Sequence, residues 1–360
     1  MFDFEMDEDL VLIAETTRAF ATETLLPRLR EHEGQRGVDA SIRETYTEMG
    51  LAGLELPESL GGAGLGALAR VIVNEELGAG DVGAAIALDP FGPALYALME
   101  AGGESALEEL AKPLLTGDGA RAVLVDADEA QLEIGEKVSG IVPWLPADSI
   151  ALAVILSDDE VVVVKDGFAM TELRGSGLRA AGSSELRMDS SSIVARFGDA
   201  ETVERARARA RLYTSSLLVG VMRQASEFSR HYATEREAFG RPIAHHQGLA
   251  FLITDMHMAV DGARILLHEA AWRLDRGFAF EGAAAAAFAE AVDASLLVGP
   301  NGVQILGGHG FMQDYPVEKY MREIRTLGLA HGGVDAAREF AGQKIASEPA
   351  GLSLSYISGA

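Results

Sequence analysis

Three long helical segments with many small residues dominate the second half of the chain. The predicted helices span Arg205–Thr234, Leu249–Arg276 and Glu281–Val298, and the third carries alanine at positions 283 to 287, 289 and 291. Alanine-rich faces allow helix axes to approach closely, so several such helices pack well as a bundle. The sequence therefore predicts a C-terminal four-helix bundle at 201–345, followed by a tail of small and polar residues at 346–360.

The first part of the chain is predicted to be helical over residues 1–117, with helices at Asp9–Thr24 and Arg43–Met49. The character changes near Gly119, where short apolar runs separated by turn residues favour a small antiparallel β domain at 118–200. The predicted strands are Ala122–Val125, Ile150–Leu156, Val161–Val164, Ser184–Met188 and Ile193–Phe197. The predicted fold is thus mostly α, with three domains and a tail.

Composition excludes several classes of partner. The net charge of −25 and the pI of about 4.7 argue against binding to nucleic acid or to an anionic membrane surface. The absence of cysteine excludes disulfides and thiolate metal sites. The acidic N-terminus lacks the basic and apolar regions of a signal peptide, and the apolar run nearest to membrane-spanning length is only Ala283–Ala289. We therefore expect a cytoplasmic protein.

Two glycine breaks flank a short basic helix near the C-terminal end. The first break contains Gly307, Gly308 and Gly310, the predicted helix is Glu318–Arg325, and the second break is Gly332-Gly333. Glycine adopts backbone angles that other residues avoid and lets the chain approach a ligand closely. This arrangement indicates two walls of a cofactor site.

The chain resembles the acyl-CoA dehydrogenase family over nearly its whole length, and several motifs carry the resemblance. They are Asn74-Glu75-Glu76-Leu77-Gly78, Gly177–Leu186, Tyr232–Ile243, Gln304-Ile305-Leu306-Gly307-Gly308 and Tyr315-Pro316-Val317-Glu318. The resemblance is strongest at 232–247 and 301–325 and weakest at 118–150. It implies the family's fold, with an N-terminal helical domain, a small β domain and a C-terminal four-helix bundle that assembles a tetramer.

The resemblance also implies FAD as the cofactor. An arginine three residues before Phe-Gly at a helix end, as Arg236 and Phe239 are here, is well placed for bidentate phosphate binding. In the family these two residues reach across a subunit interface to the pyrophosphate and adenine half of FAD. The other positions where that half is held are His246, Gln247, Gln304, Gly307 and Gly308.

The family's catalytic base is missing. The family commonly places Tyr-Glu-Gly-Thr after the basic helix, and its glutamate removes the substrate α-proton; this chain has Ala330-His331-Gly332-Gly333. The alternative base position on the long helix is Ala210. The nearest acid, Glu204, lies six residues earlier, roughly 240° around the helix, and faces elsewhere. Neither position therefore carries a carboxylate.

The segments that shelter the flavin ring in the family are also altered. Its first β-strand carries a Thr-Glu-Pro with a following Gly-Ser-Asp, to which nothing here corresponds, and its Trp-Ile-Thr appears only as Trp144-Leu145-Pro146. The retained residues are those that a subunit donates to its neighbour's flavin, and the missing ones are those it uses on its own. The site for the chain's own flavin ring is thus expected to be vacant.

We therefore expect one subunit of a heteromeric FAD-dependent acyl-CoA dehydrogenase. A paralogous partner subunit would supply the catalytic glutamate and the ring-binding strand. The resemblance implies an acyl-CoA substrate with a bulky acyl group, as in lipid or steroid catabolism, and electron-transfer flavoprotein as a possible electron acceptor.

Two other interpretations remain open at the level of sequence. The first is a homomeric flavoenzyme, in which His331 serves as the base because imidazole is chemically suited to that role, or an oxidase or monooxygenase that needs no base. The second is a non-catalytic scaffold that binds no flavin. The adjacent His245 and His246 do not indicate a metal site, because no carboxylate stands at ligand spacing.

Overall fold

The computed structural model describes residues 6–116, 119 and 121–347. Its α-helices are α1 (Glu8–Phe20), α2 (Leu29–Gln35), α3 (Ala40–Glu48), α4 (Ala67–Leu88), α5 (Ala94–Ala97), α6 (Gly103–Ala106), α7 (Ala200–Glu235), α8 (Gln247–Asp275), α9 (Glu281–Leu306), α10 (Val317–Leu327) and α11 (Gly333–Ser347). Its strands are β1 (Ala122–Asp126), β2 (Gln131–Ile134), β3 (Lys137–Leu145), β4 (Leu152–Leu156), β5 (Val161–Val164), β6 (Phe168–Glu172), β7 (Ser184–Phe197), β8 (Glu237–Ala238) and β9 (Arg241–Pro242).

Contacts divide the described chain into two compact units. The first contains residues up to 21, residues 67–80 and residues from 214 onward, and the second contains residues 22–66 and 81–213. The division between the units falls inside α4 and inside α7, and it differs from the domain boundaries predicted from the sequence. Those boundaries stay a prediction. The predicted tail lies outside the described residues from position 348 onward.

The second unit is built around one seven-stranded sheet. Its strands run in the order β1-β4-β5-β7-β3-β2, and β6 also pairs with β7. The prediction of a purely antiparallel sheet is wrong at one edge, because β1 and β4 pair in parallel. The two predicted strands at 184–188 and 193–197 are one continuous strand, β7, and three strands were missed: β2, β3 and β6.

Strands β4 and β5 divide the interior of the second unit into two cores. Every residue of both strands is buried. Because side chains alternate across a strand, Leu152 and Val154 join a core formed with helical residues such as Leu98 and Leu107, whereas Ala153 and Ile155 face a core shared with β3 and β7. A strand that is buried on both faces has a continuous run of apolar residues in the sequence. Strands β4 and β5 were predicted for this reason.

The first unit contains the long C-terminal helices, and the predicted helical architecture is confirmed. Helix α9 is largely buried along one side, with alanines 284, 285, 287, 289, 291 and 294 all buried. By length and composition alone, Glu281–Phe311 could cross a membrane. However, 61% of its most apolar window is buried inside the protein, as expected of a helix in a protein core.

Two glycines bring the backbones of α4 and α7 together in the first unit. A Cβ atom on Gly78 would fall 2.6 Å from the carbonyl oxygen of Leu217, and one on Gly220 would fall 2.2 Å from that of Glu75. Both distances are far below any real contact of a Cβ atom, so only glycine permits this approach. As a result, the arginine one turn beyond Gly220, Arg223, lies over Glu75 and Glu76.

A network of ion pairs fills the space beside this helix crossing. Glu76 accepts hydrogen bonds from Arg18 and Arg223, and Glu75 accepts one from Arg264 at 2.8 Å. His268 lies 3.7 Å from Glu75. Burial alone would raise the pKa of the Glu75 carboxyl, but His268, Arg264 and Arg223 outweigh it and lower that pKa to about 2.

We predict that Glu75 stabilises the folded protein in a pH-dependent way. A pKa lowered from about 4.3 in the unfolded chain to about 2 contributes about 3 kcal/mol at neutral pH, which is lost as the pH falls from about 4 to about 2. Glu75→Gln should therefore lower the free energy of unfolding by about 3 kcal/mol at pH 7 and by about half as much at pH 3. Urea unfolding at both pH values measures this difference.

The matched control is Glu108→Gln, because the Glu108 side chain is 67% exposed and lies 3.8 Å from Lys112. This control should change the free energy of unfolding by less than about 0.5 kcal/mol. An effect of Glu75→Gln that is the same at pH 7 and pH 3 would contradict the assignment.

Candidate functional site

Helix α7 ends in a small hairpin that presents the predicted phosphate-binding residues. Strands β8 and β9 pair, and the Ile243 amide donates to the Arg236 carbonyl at 2.8 Å. We call Arg236–Ile243 the α7 hairpin. Arg236 is exposed, and Phe239 is 96% exposed with a positive φ of 55°. A strained backbone and a fully exposed aromatic ring at one residue indicate a contact with something outside this chain.

His246 and Gln247 lie directly beside the α7 hairpin, at the start of α8. The His246 Nε2 atom is 3.1 Å from the Ala238 carbonyl oxygen. The His246 ring meets the Phe239 ring edge to face, with the centroids 6.0 Å apart. Gln247 is the first residue of α8 and is exposed. The structure thus brings four of the seven predicted cofactor residues together: Arg236, Phe239, His246 and Gln247.

The other three predicted cofactor residues lie at the C-terminal end of α9. Gln304 is exposed in the last turn, and Gly307 ends the helix with a φ of 58°. The short 3₁₀ segment Gly307–Phe311, which we call the glycine turn, follows. A Cβ atom on Gly307 or Gly308 would meet no atom within 4 Å, so the backbone at these two residues is open to a ligand.

A hydrogen bond ties the end of α7 to the glycine turn. The Tyr232 hydroxyl lies 2.7 Å from Nδ1 of His309. Tyr232 stands one turn before Arg236, and His309 directly follows Gly308. Both groups of predicted cofactor residues therefore belong to one connected part of the first unit. This contact was not predicted, although Tyr232 lies inside a motif and His309 lies within the first glycine break.

His331 lies between α10 and α11 in a run of three left-handed residues. The φ angles of His331, Gly332 and Gly333 are 55°, 77° and 68°, which explains the two glycines. The His331 Nε2 atom is 2.8 Å from the Thr214 hydroxyl, and its ring meets that of Phe288 edge to face. The structure thus holds one ring nitrogen of His331 in a contact with the chain's own helix α7.

In the second unit, the end of strand β1 carries a group of charged residues. The Arg207 side chain donates to both carboxylate oxygens of Asp126, at 2.7 and 3.0 Å. It also reaches Asp128 at 3.3 Å and the Ser157 carbonyl oxygen at 3.2 Å. The Arg207 and Asp126 side chains are 25% and 15% exposed. This bidentate, partly buried pair fixes the end of β1 against α7.

Comparisons with known proteins match both ends of the chain to one family. The model "Acyl-CoA dehydrogenase, N-terminal domain" matches residues 7–118, and the model "Acyl-CoA dehydrogenase, C-terminal domain" matches residues 201–346. The chain belongs to the acyl-CoA dehydrogenase family. It is 24% identical to benzylmalonyl-CoA dehydrogenase of Aromatoleum aromaticum, over 96% of this chain and 100% of that protein.

Solved structures of the family confirm the fold. The chain is similar to butyryl-CoA dehydrogenase from Megasphaera elsdenii, with a TM-score of 0.85 and 21% identity over 96% of this chain and all of the other. It is equally similar to PigA with FAD and proline, with a TM-score of 0.85 and 20% identity over 96% of this chain and 99% of PigA. FAD is the cofactor of the acyl-CoA dehydrogenase family.

The residues of the α7 hairpin and the glycine turn fit one half of FAD. Arg236 offers a planar, always charged donor group to phosphate, and the exposed Phe239 ring offers a surface for packing. The open backbone at Gly307 and Gly308 leaves room for a ligand to approach. These are groups suited to a pyrophosphate and its nucleoside, and their contacts with the cofactor stay predictions.

The end of strand β1 does not fit the other half of FAD. In an acyl-CoA dehydrogenase the first strand carries Thr-Glu-Pro against the flavin ring, whereas β1 here ends at Asp126 and is followed by Ala127 and Asp128. An ionised carboxylate has no hydrogen to donate, and both oxygens of Asp126 are already held by Arg207. A charged pair therefore occupies this strand end, and the expectation of a vacant ring site stays a prediction.

A repeated arginine pattern in the sequence could have indicated this ion pair. Arginine occurs at every second position from Arg205 to Arg211, so successive arginines lie on different faces of α7. Arg205 and Arg209 both bind Glu100, and Arg209 also binds Glu55. Arg207 points elsewhere, to β1. Arginines this close together in a mostly buried helix indicate acidic partners on more than one side of the helix.

We predict that Arg207→Ala destabilises the protein by roughly 2 kcal/mol, because the Asp126 carboxylate loses its partner in a partly buried place. Urea unfolding at pH 7 measures the change. The control is Arg187→Ala, since Arg187 is 50% exposed and lies 3.7 Å from Glu185. If both variants change the free energy of unfolding equally, the Arg207 pair does not fix the end of β1.

Proposed function

We propose that this chain is one subunit of a heteromeric FAD-dependent acyl-CoA dehydrogenase. A paralogous partner subunit supplies the catalytic glutamate and the strand that shelters the flavin ring. The observation that carries the proposal is the Asp126–Arg207 pair at the end of β1, with both carboxylate oxygens used. The Asp126 side chain has no hydrogen to donate to a flavin ring, and both of its oxygens are already used by Arg207.

This chain contributes binding groups for the nucleotide half of FAD. FAD held there would supply the acceptor for the hydride that leaves the substrate β-carbon. Arg236 neutralises phosphate charge, and the Phe239 ring excludes water from one side of the nucleotide. Gln304 and the backbone of Gly307 and Gly308 complete the contacts on the glycine turn. The exposure of all these groups in the single chain supports a role at an interface with a partner subunit.

His331 is not the proton-abstracting base in this proposal. A base must lie within hydrogen-bond reach of the substrate proton. The contact between His331 Nε2 and the Thr214 hydroxyl, at 2.8 Å, already engages a ring nitrogen of His331 within the chain itself. The second base position, Ala210, is fully buried and carries no ionisable group. The carboxylate that abstracts the α-proton therefore comes from the partner subunit.

The remaining parts of the proposal follow from the family. The substrate is an acyl-CoA thioester, and the bulky acyl groups of lipid or steroid catabolism are the class we favour. The complex is a cytoplasmic heterotetramer, and electron-transfer flavoprotein is its electron acceptor. The apolar side chains exposed along α8 support assembly, since Phe251, Met258 and Ile265 recur every seven residues and are 59%, 66% and 47% exposed.

The cofactor assignment predicts a loss of FAD in one variant. Arg236→Ala should reduce flavin retention by the co-expressed complex at least tenfold, because a charge-assisted bidentate contact to phosphate is removed. Flavin absorbance per chain after gel filtration measures retention, with one FAD expected per pair of subunits in the parent. The control is Arg230→Ala, an exposed arginine on the same helix. Unchanged flavin occupancy in Arg236→Ala would refute the assignment.

If a partner subunit supplies the base, replacing His331 should have only a small effect on activity. In the complex with the partner subunit, His331→Ala should keep acyl-CoA-dependent dye reduction within a few-fold of the parent. A fall of roughly a hundredfold or more is the size expected for losing a general base. That result would favour a homomeric flavoenzyme with His331 as its base. A flavin-free complex without dye reduction would favour a scaffold.

A further inference from the structure

Three rings meet beside the glycine turn. His309 stacks on Tyr315, with the centroids 4.9 Å apart and the planes inclined by 11°. Tyr232 stands edge to face against both, at 6.0 Å from His309 and 5.9 Å from Tyr315. The hydrogen bond between the Tyr232 hydroxyl and His309 Nδ1 joins the same group. Such a cluster fixes the relative position of the three segments that carry the rings.

This cluster links the two groups of predicted cofactor residues. Tyr232 is one helical turn before Arg236, and its carbonyl oxygen accepts the Arg236 amide at 2.9 Å. On the other side, His309 directly follows Gly307 and Gly308, whose backbone has open space around it. The α7 hairpin and the glycine turn are themselves largely exposed, so the cluster supplies packing that these two segments lack.

We propose that His309 is a positioning residue for the nucleotide half of the cofactor site. Through Tyr232 it holds the α7 hairpin against the glycine turn. Arg236 and the backbone of Gly307 and Gly308 can then bind the same dinucleotide. The Tyr232 hydroxyl and His309 Nδ1 share this hydrogen bond at 2.7 Å. The inference rests on the proposed function, because it concerns the same cofactor.

Variants of His309 separate a positioning role from direct contact with the cofactor. Asparagine places an acceptor near the position of Nδ1, so His309→Asn keeps the bond to Tyr232. Glutamine reaches the position of Nε2 instead, so His309→Gln preserves any contact made by the outer nitrogen. Tyr232→Phe removes the hydroxyl and leaves the ring packing in place.

The test combines FAD affinity of the complex with hydrogen exchange of the chain's own amides. His309→Ala and Tyr232→Phe should weaken FAD binding about tenfold and should speed amide exchange in residues 236–243 in the absence of FAD. His309→Asn should stay within about threefold of the parent in both measurements. The control is His231→Ala, because His231 is 68% exposed on the same helix. Thermal unfolding of all variants should agree within a few degrees.

Two results would overturn the inference. One is native FAD affinity in His309→Ala, which would contradict any role of His309 while the proposed function stands. The other is rescue of FAD affinity by His309→Gln but not by His309→Asn, with unchanged amide exchange. That pattern would assign a direct contact to Nε2. If the parent complex holds no FAD, the proposed function fails first, and the role of His309 at a cofactor fails with it.

Discussion

The pairing of arginines along α7 is the constraint on which the candidate site depends. A guanidinium taken out of water without a partner costs several kcal/mol, so a buried arginine favours a carboxylate partner. In the second unit Arg209 meets Glu55 and Glu100, and Arg207 meets Asp126; in the first unit Arg223 meets Glu75 and Glu76. Within the first unit, the Arg223 pairs fix the rotation of α7 about its axis. They therefore also fix the directions of Thr214 and Tyr232 on the same part of the helix.

The helical part of the fold could be predicted because its signals are local. Periodic apolar residues and alanine-rich faces located α7, α8 and α9 to within a few residues, except at the end of α9. The sheet was predicted less well because pairing partners are distant in sequence. Strand β7 was divided in two, since Asp189–Ser192 is polar and Ser190 has a φ of 56°. The parallel pair of β1 and β4 follows from a register that no single strand encodes.

In the candidate site, too, local features could be predicted from the sequence and contacts between distant residues could not. The motif residues of the α7 hairpin and the glycine turn lie where a ligand-binding role requires exposure. Their cofactor contacts stay predictions. The bond between Tyr232 and His309, 77 residues apart, and that between Arg207 and Asp126, 81 residues apart, could not be read from spacing. Each depends on which helix face meets which loop, and that follows only from packing.

The ion pair at the end of β1 distinguishes simple decay of this strand end from its stabilisation in a new form. Simple decay would leave unpaired charges or cavities where the flavin ring is sheltered in the family. Here Arg207 instead satisfies both oxygens of Asp126, reaches Asp128 and donates to a backbone carbonyl. A partly buried bidentate pair of this kind stabilises the strand end in its present form. Restoring a threonine alone at Asp126 would leave Arg207 without its main partner, so one substitution would not by itself recreate the strand end found in the family.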